Sequence, residues 1–146
     1  MAYEFVKESM SQQISMTPML GALLRAPGAA IVARIAADLA AAGYTDLRPA
    51  HFSVFQQLPV EGGRLTALAE RAQMTKQSMG ALVEHLVQRG YLERVVDPTD
   101  GRAQIIRRTE RGWNVERIAR GSIQQLEDEW GEALGHERMQ QCRQTL

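Results

Sequence analysis

Apolar positions recur at helical spacing through most of the chain and at strand spacing in one short region. From Met19 to Ala42, Leu20, Leu24, Ile31, Ile35 and Leu39 keep close to a helical period. Pro27-Gly28 interrupts them and predicts a kink or two abutting helices, and Gly43 ends the segment. "DLRPAHFSVFQQLP" predicts a short helix with Phe52, Phe55 and Leu58 inward and Pro59 as its stop.

In "RLTALAERAQMTKQSMGALVEHLVQRGYLER", Thr66 is placed to cap a helix ending at Ala72. Thr75 is placed to cap a second helix to about Arg89, closed by Gly90. Only Gln73 to Thr75 separate the two, which is helix-turn-helix spacing, and Ala69 is small where they would cross. Leu82, Val83, Leu86 and Val87 form the inward stripe of the second helix.

The strand-like region is "VVDPTDGRAQII". Two β-branched pairs, Val95-Val96 and Ile105-Ile106, flank a polar tip. Asp97-Pro98 suits the start of a type I turn and Gly101 tolerates positive φ, so a β-hairpin is predicted. The order helix, turn, helix, hairpin defines a winged helix-turn-helix. A longer helix follows from Thr109 to Ala133, with Val115, Ile118, Ile123, Leu126, Trp130 and Ala133 at spacings of mostly three or four. At ~1.5 Å per residue it would be about 37 Å long, more than a helix-turn-helix needs. Gly121 inside it implies a close helix approach. A last helix, "HERMQQCRQTL", sets Met139, Cys142 and Leu146 on one side. The fold class is mainly α with one small β-hairpin wing and long flanking helices.

Composition changes this picture little. The 146 residues fit one domain able to bury a core, with 45% hydrophobic and 23% charged residues. One cysteine, Cys142, excludes an intrachain disulfide and a Cys-rich metal site, and His51, His85 and His136 lack ligand spacing. The start "MAYEFVKESMSQQ" lacks signal-peptide character, and no apolar run is expected to approach the ~20 residues of a membrane span, so the cytoplasm is the expected compartment. Net charge is zero, yet residues 61–111 hold nine Lys/Arg against seven Asp/Glu. That surplus permits a local basic face. There is no Gly-rich phosphate loop, nucleophile motif or metal-ligand cluster, so neither enzyme activity nor a cofactor is expected.

The chain resembles the MarR family of bacterial transcriptional regulators. The residues that carry the likeness are "LTALAERAQMTKQSMGALVEHLVQRGYLER", then "DPTDGRA" and "TERG", covering about residues 65–112. The resemblance implies a two-fold dimer joined by its first and last helices and bound to a pseudo-palindromic operator. It also implies repression, released by a small phenolic or aromatic acid or by thiol oxidation. On this reading residues 1–146 form a single MarR-type domain. Residues 1–45 and 113–146 supply dimerisation helices, and residues 46–112 supply the DNA-binding lobe. Three departures stand out. Gln73 occupies a turn position where glycine is common, Arg108 replaces a leucine before the threonine, and no cysteine lies near the start. Arg108 is expected either to face solvent or to add a phosphate contact.

The face of the second helix away from Leu82 and Leu86 carries Lys76, Gln77, Gly80, Ala81 and Glu84. A major groove admits a helix whose N-terminal residues reach base edges. Thr75, Lys76, Gln77, Ser78, Gly80 and Ala81 are therefore candidate DNA contacts, with Gln77 suited to adenine and Lys76 to guanine or phosphate. Arg94 and Arg111 are candidate phosphate anchors. Arg102 is the candidate minor-groove contact on the wing, with Asp100 aiming it or bonding the tip backbone. Glu84 would repel phosphate unless it pairs with cytosine or stands back. His85 is expected to pack or to edge a phosphate, and Cys142 to serve as a small apolar residue. Tyr44, Arg48, His51, Phe52, Phe55 and Trp113 are candidate ligand residues, because the resemblance places an effector cleft around the second helix. Trp113 and Trp130 are otherwise expected as helix-packing anchors at the dimer interface. The rival reading is a winged helix that binds protein alone, but Lys76, Arg94, Arg102, Arg107 and Arg111 remain on its helix and wing.

Overall fold

The computed structural model describes residues 19–145. Among the described residues six helices and one hairpin follow in order: α1 (Leu20–Ala41), α2 (Pro49–Gln57), α3 (Leu65–Arg71), α4 (Lys76–Gln88), β1 (Leu92–Asp97), β2 (Asp100–Arg108), α5 (Glu110–Leu134) and α6 (His136–Thr145). The chain falls into two compact units, residues 1–33 and residues 34–146.

In the first unit α1 carries Leu20, Leu23 and Leu24 exposed to solvent. Pro27 sits inside α1, which continues through it as one helix rather than as two abutting ones. Length corrects a second expectation. Among the described residues α1 is the one helix long and apolar enough to cross a membrane by length and composition, with a mean hydropathy of 1.4 over an 18-residue window. Its alanines, with Gly28, extend the apolar run between Arg25 and Arg34.

The second unit is built around the helix-turn-helix. Val54 of α2, Leu68 of α3, and Met79, Val83 and Leu86 of α4 are fully buried, because each lies on the inward stripe of its helix. Tyr91, Leu92, Ile106 and Val115 extend this core under the hairpin and into α5. The last turns of α1 bury Ile35 and Leu39, and Arg34 donates to Glu129 of α5 at 3.0 Å.

Local chemistry sets the ends of the elements. Thr75 caps α4 and Thr109 caps α5, their hydroxyls accepting from the backbone N–H of Ser78 and Gly112 at 3.1 and 3.2 Å. Thr66 is not a cap. It lies within α3, whose N-cap is Arg64, and no side chain closes that end. Gly90 ends α4 at φ +73°. Gln73, in the turn between α3 and α4, is the one positive-φ non-glycine among the described residues, at φ 53°.

β1 and β2 pair antiparallel from Leu92↔Arg108 to Asp97↔Asp100, with an irregularity between Val96 and Asp97. The reversal is therefore the two residues Pro98-Thr99. Gly101 already lies in β2 and has no positive φ, contrary to expectation. Gly63 adds a third, one-residue rung to the sheet by exchanging backbone hydrogen bonds with Ile106. Two close approaches require glycine. A Cβ on Gly62 would lie 2.6 Å from the Ile106 carbonyl oxygen, and one on Gly112 would lie 2.1 Å from that of Tyr91. Among the described residues Gly121 shows no such approach, since a Cβ there meets nothing within 4 Å.

Candidate nucleic-acid interface

The N-terminal turn of α4 presents an exposed polar face. Lys76, Gln77, Ser78 and Ala81 are exposed, and the Thr75 hydroxyl both caps the helix and donates to the Ser78 hydroxyl at 2.8 Å. Thr75 and Ser78 thus hold one another, and among the described residues the long side chains of Lys76 and Gln77 have no hydrogen-bond partner. Gly80 is half-buried, and a Cβ there would meet the Leu65 side chain of α3 at 3.7 Å. That is ordinary van der Waals contact, so the α3–α4 crossing does not itself require glycine. Glu84, awkward on a DNA-reading helix, is neutralised within the fold. It accepts from Arg94 of β1 at 3.4 Å and from Gln88 at 3.2 Å. The same pair occupies Arg94, which is half-buried rather than free.

Arg111 is drawn onto aromatic rings. Its guanidinium lies 4.6 Å from the Tyr91 ring centroid and 5.6 Å from that of Tyr44, and it donates to the Tyr91 hydroxyl at 3.0 Å. Tyr91 in turn donates to Asp46 at 2.5 Å. That hydrogen bond holds the Asp46 carboxyl below its ordinary range, helped by the charges of Arg111 and Arg89. The Tyr91 phenol is pushed up, chiefly by burial and then by Asp46.

The hairpin tip is fixed by acids that sequence reasoning weighed only in part. Asp97 is buried and accepts from the backbone N–H and the hydroxyl of Thr99 at 2.8 and 2.6 Å. Those two bonds, followed by one from Arg64, hold its carboxyl down at about 2. Asp100 accepts from the backbone N–H of Arg102 at 3.2 Å, a local Asx contact that leaves the Arg102 side chain exposed. Arg64 completes the arrangement, with its guanidinium 2.6 Å from Asp97 and 3.4 Å from Asp100. Sequence reasoning missed Arg64. Its only signal was a basic residue immediately before α3 together with two acids at the tip, 33 and 36 positions away.

Arg108 takes neither expected role. Its side chain is 3% exposed and pairs with Glu116 of α5 at 3.0 Å. It also donates to the carbonyls of Phe55, Leu58 and Pro59 at 2.7, 2.9 and 2.9 Å. These carbonyls lie at the C-terminal end of α2, where the helix has no further N–H to offer them. The Trp113 ring lies 4.8 Å from the Arg108 guanidinium carbon.

The candidate ligand residues separate into three neighbourhoods. Tyr44 belongs with Arg111 and Tyr91. Phe55 and Trp113 share Arg108, one by its carbonyl and the other by its ring. His51 is buried and stacks on His85, centroids 4.5 Å apart and planes 9° from parallel. The fold thus brings together two histidines that look scattered in sequence. His51 Nδ1 accepts from the backbone N–H of Arg48, fastening the start of α2, while the rest of Arg48 is exposed and Phe52 is half-buried. Burial, then the charges of His85 and Arg48, lower the His51 pKa. Cys142 is exposed on α6 and is not the packed apolar residue that its helical stripe implied.

A MarR-family profile matches residues 45–103, the segment from the approach to α2 through the hairpin tip. The fold agrees over a longer span. CouR from Rhodococcus jostii RHA1, bound to p-coumaroyl-CoA, matches with a TM-score of 0.67 and 25% identity over 86% of this chain and 87% of that one. Over residues 45–103 the chain matches the MarR family, and over its longer span it shares the fold of these regulators. The transcriptional repressor CouR bound to a 23-mer DNA duplex matches with a TM-score of 0.68 and 24% identity, covering 87% and 89% of the two chains. Apo wild-type MarR from E. coli is similar in fold, with a TM-score of 0.67 and 18% identity over 88% of this chain and 95% of that one. No curated protein sequence matches the chain. The chain has the winged-helix fold of these regulators, a helix-turn-helix followed by a two-stranded wing.

Proposed function

We propose that this protein is a MarR-family, sequence-specific double-stranded DNA-binding repressor that acts as a cytoplasmic homodimer. The observation that carries the reading is the pairing of two free basic elements on one braced lobe. Lys76 and Gln77 stand exposed at the start of a capped α4, and Arg102 stands exposed on a wing whose tip is tied to α3 by Arg64. A helix N-terminus in the major groove with a thin basic ribbon in the adjacent minor groove uses both.

In this reading α1 and α5–α6 supply the dimer contacts. The exposed Leu20, Leu23 and Leu24 of α1 form an apolar face that a second copy would cover, which also accounts for its membrane-like composition. Residues 1–18 and Leu146 of the expected dimer segments lie outside the described residues. Phosphate anchoring falls to Arg94 and Arg111 only if they exchange their present partners, Glu84 and Tyr91, for phosphate. Release by a small aromatic or phenolic ligand, bound among the Tyr44, Arg48, His51, Phe52, Phe55 and Trp113 neighbourhoods, is the regulatory half of the proposal. It is supported by the p-coumaroyl-CoA held by CouR. No enzymatic activity forms part of the reading.

Selection of bound fragments from the source genome tests it. A palindromic site protected by a dimer is the expected result, and salt-sensitive retention on heparin should accompany it. Light scattering at micromolar concentration should give twice the 16.3 kDa chain mass. A monomer with no preferred fragment overturns the proposal in favour of a protein-binding winged helix.

A further inference from the structure

The role of Arg108 follows from the cost of burying it. Taking a guanidinium and a carboxylate out of water costs more than burying an apolar side chain of similar size, and filling space at this position needs no charge. The arginine adds direction. A planar fork of N–H donors can be satisfied by fixed acceptors in only one orientation. Here the acceptors belong to two other elements, three carbonyls at the end of α2 and Glu116 on α5. Arg108 is the last residue of β2, so its backbone is the base of the wing. Rotation of the wing about that base would pull the guanidinium from several acceptors at once. Glu116 is held in turn by Arg120 at 2.8 Å.

We propose that Arg108 is a positioning residue for DNA recognition. Through Glu116 and the α2 carbonyls it fixes the angle at which the β1–β2 wing leaves the lobe, without itself touching DNA. The proposal rests on the DNA-binding reading above for its functional consequence, and on geometry alone for its hold on the wing. The two are separable by experiment.

The test uses the full chain with R108K, R108Q and E116Q, each studied well below its own melting temperature. R108K keeps the charge and loses the fork, whereas E116Q keeps an acceptor and loses the charge. Two quantities are read: affinity for a selected genomic fragment across a salt series, and amide hydrogen exchange in the wing and in α4. R108K should weaken binding ten-fold or more, and R108Q, which also removes the charge, should do so with an unchanged salt slope, because no phosphate contact is lost. Exchange of β1 and β2 amides should quicken at least ten-fold while α4 amides stay protected. E116Q should act in the same direction and carries the test if R108K fails to fold. A salt slope shallower by about one in R108Q, which removes the charge that lysine keeps, would make Arg108 a phosphate contact and overturn the proposal. So would affinity within two-fold of the parent with unchanged wing exchange, or protection lost equally across α3, α4 and the wing. If the parent binds no fragment, the DNA-binding reading falls, and the exchange data alone decide whether Arg108 holds the wing.

Discussion

The Arg64 guanidinium lies 2.6 Å from the Asp97 carboxylate, joining the N-cap of α3 to the far end of a hairpin 33 residues away. Asp97 is buried and Arg64 is half-exposed, so the acid depends on its partners more than the base does. Asp97 titrates at about 2 against an ordinary 3.8, so its contribution to stability is complete above 3.8 and is lost as pH falls from 3.8 through about 2. Asp97→Asn should flatten the acid limb of a pH–stability profile measured by denaturant midpoint. Arg64→Ala should loosen the tip and weaken operator binding about ten-fold, even in a chain that still melts cooperatively. An acid limb unchanged in Asp97→Asn would show that the Thr99 and Arg64 contacts do not matter to the fold.

The turn between α3 and α4 stores a removable strain. Gln73 sits at φ 53°, where a Cβ crowds the following carbonyl and glycine does not. Gln73→Gly should stabilise the protein by about 1 kcal/mol, the left-handed penalty less the larger chain entropy of glycine. A denaturant series with an unchanged m-value measures this. Gln73→Val should move the midpoint the other way, since a β-branched residue fits that region worst. A loss of stability in the glycine variant would mean that the glutamine side chain makes a contact outweighing its backbone cost.

Legibility in the sequence followed the range of the interactions. The helical stripes, the hairpin reversal at Asp97↔Asp100 and the cap at Thr75 rest on contacts within three or four residues, which a local pattern exposes. The strain at Gln73 was also visible, because a position that favours glycine advertises itself when something else stands there. Arg64 and Arg108 were not legible in the same way. One pairs with acids 33 and 36 positions on, and the other with carbonyls 49 to 53 positions back. Nothing in the periodicity of "IIRRTERG" says which of two adjacent arginines is buried. Arg107 is exposed and donates to the Glu61 carbonyl, whereas Arg108 turns inward. Gly101 and Thr66 misled for a related reason. Both residue types suit a tip or a cap, but register decides which position they occupy.

The stacked histidines make α2 sensitive to acid. His51 can accept from the Arg48 N–H only while Nδ1 is unprotonated, and a proton there would face His85 and the Arg48 charge, with Asp46 the one acid opposing them. Its pKa is therefore lowered in the fold, chiefly by burial. A base with a lowered folded pKa gives stability that is complete above its unfolded value, 6.5, and is lost as pH falls from 6.5 toward the folded value. His51→Gln keeps an acceptor at the third helical position, where glutamine can close a capping box, and removes the titration. The parent should lose stability between pH 7 and 5, and His51→Gln should lose less over the same interval. Parallel profiles would show that His51 protonates without disturbing α2.

The proposed division between base reading and groove filling is testable on one operator. Gln77 is exposed in the first turn of α4, and its amide can pair bidentately with adenine in a major groove. Gln77→Ala should cost roughly 1–3 kcal/mol and relax the preference at one base pair. Arg102 has no such geometry. Its side chain is exposed at the tip, and its backbone N–H is held by Asp100, which fixes where the guanidinium starts. A narrow minor groove over A·T-rich DNA is strongly negative and admits a guanidinium on a thin ribbon. Arg102→Ala should therefore weaken binding at least ten-fold, most on operators with A·T-rich flanks, and reduce the salt slope by about one. Its melting temperature should stay that of the parent, since no partner within the fold is lost. Asp100→Ala should produce a smaller loss with the salt slope intact, because the charge remains but its aim is freed. Titration of the three variants on A·T-rich and G·C-rich flanks separates these roles. Equal losses on both flanks for Arg102→Ala would make the wing a general phosphate clamp. Unchanged affinity on both would remove the wing from the interface and leave recognition to α4 alone.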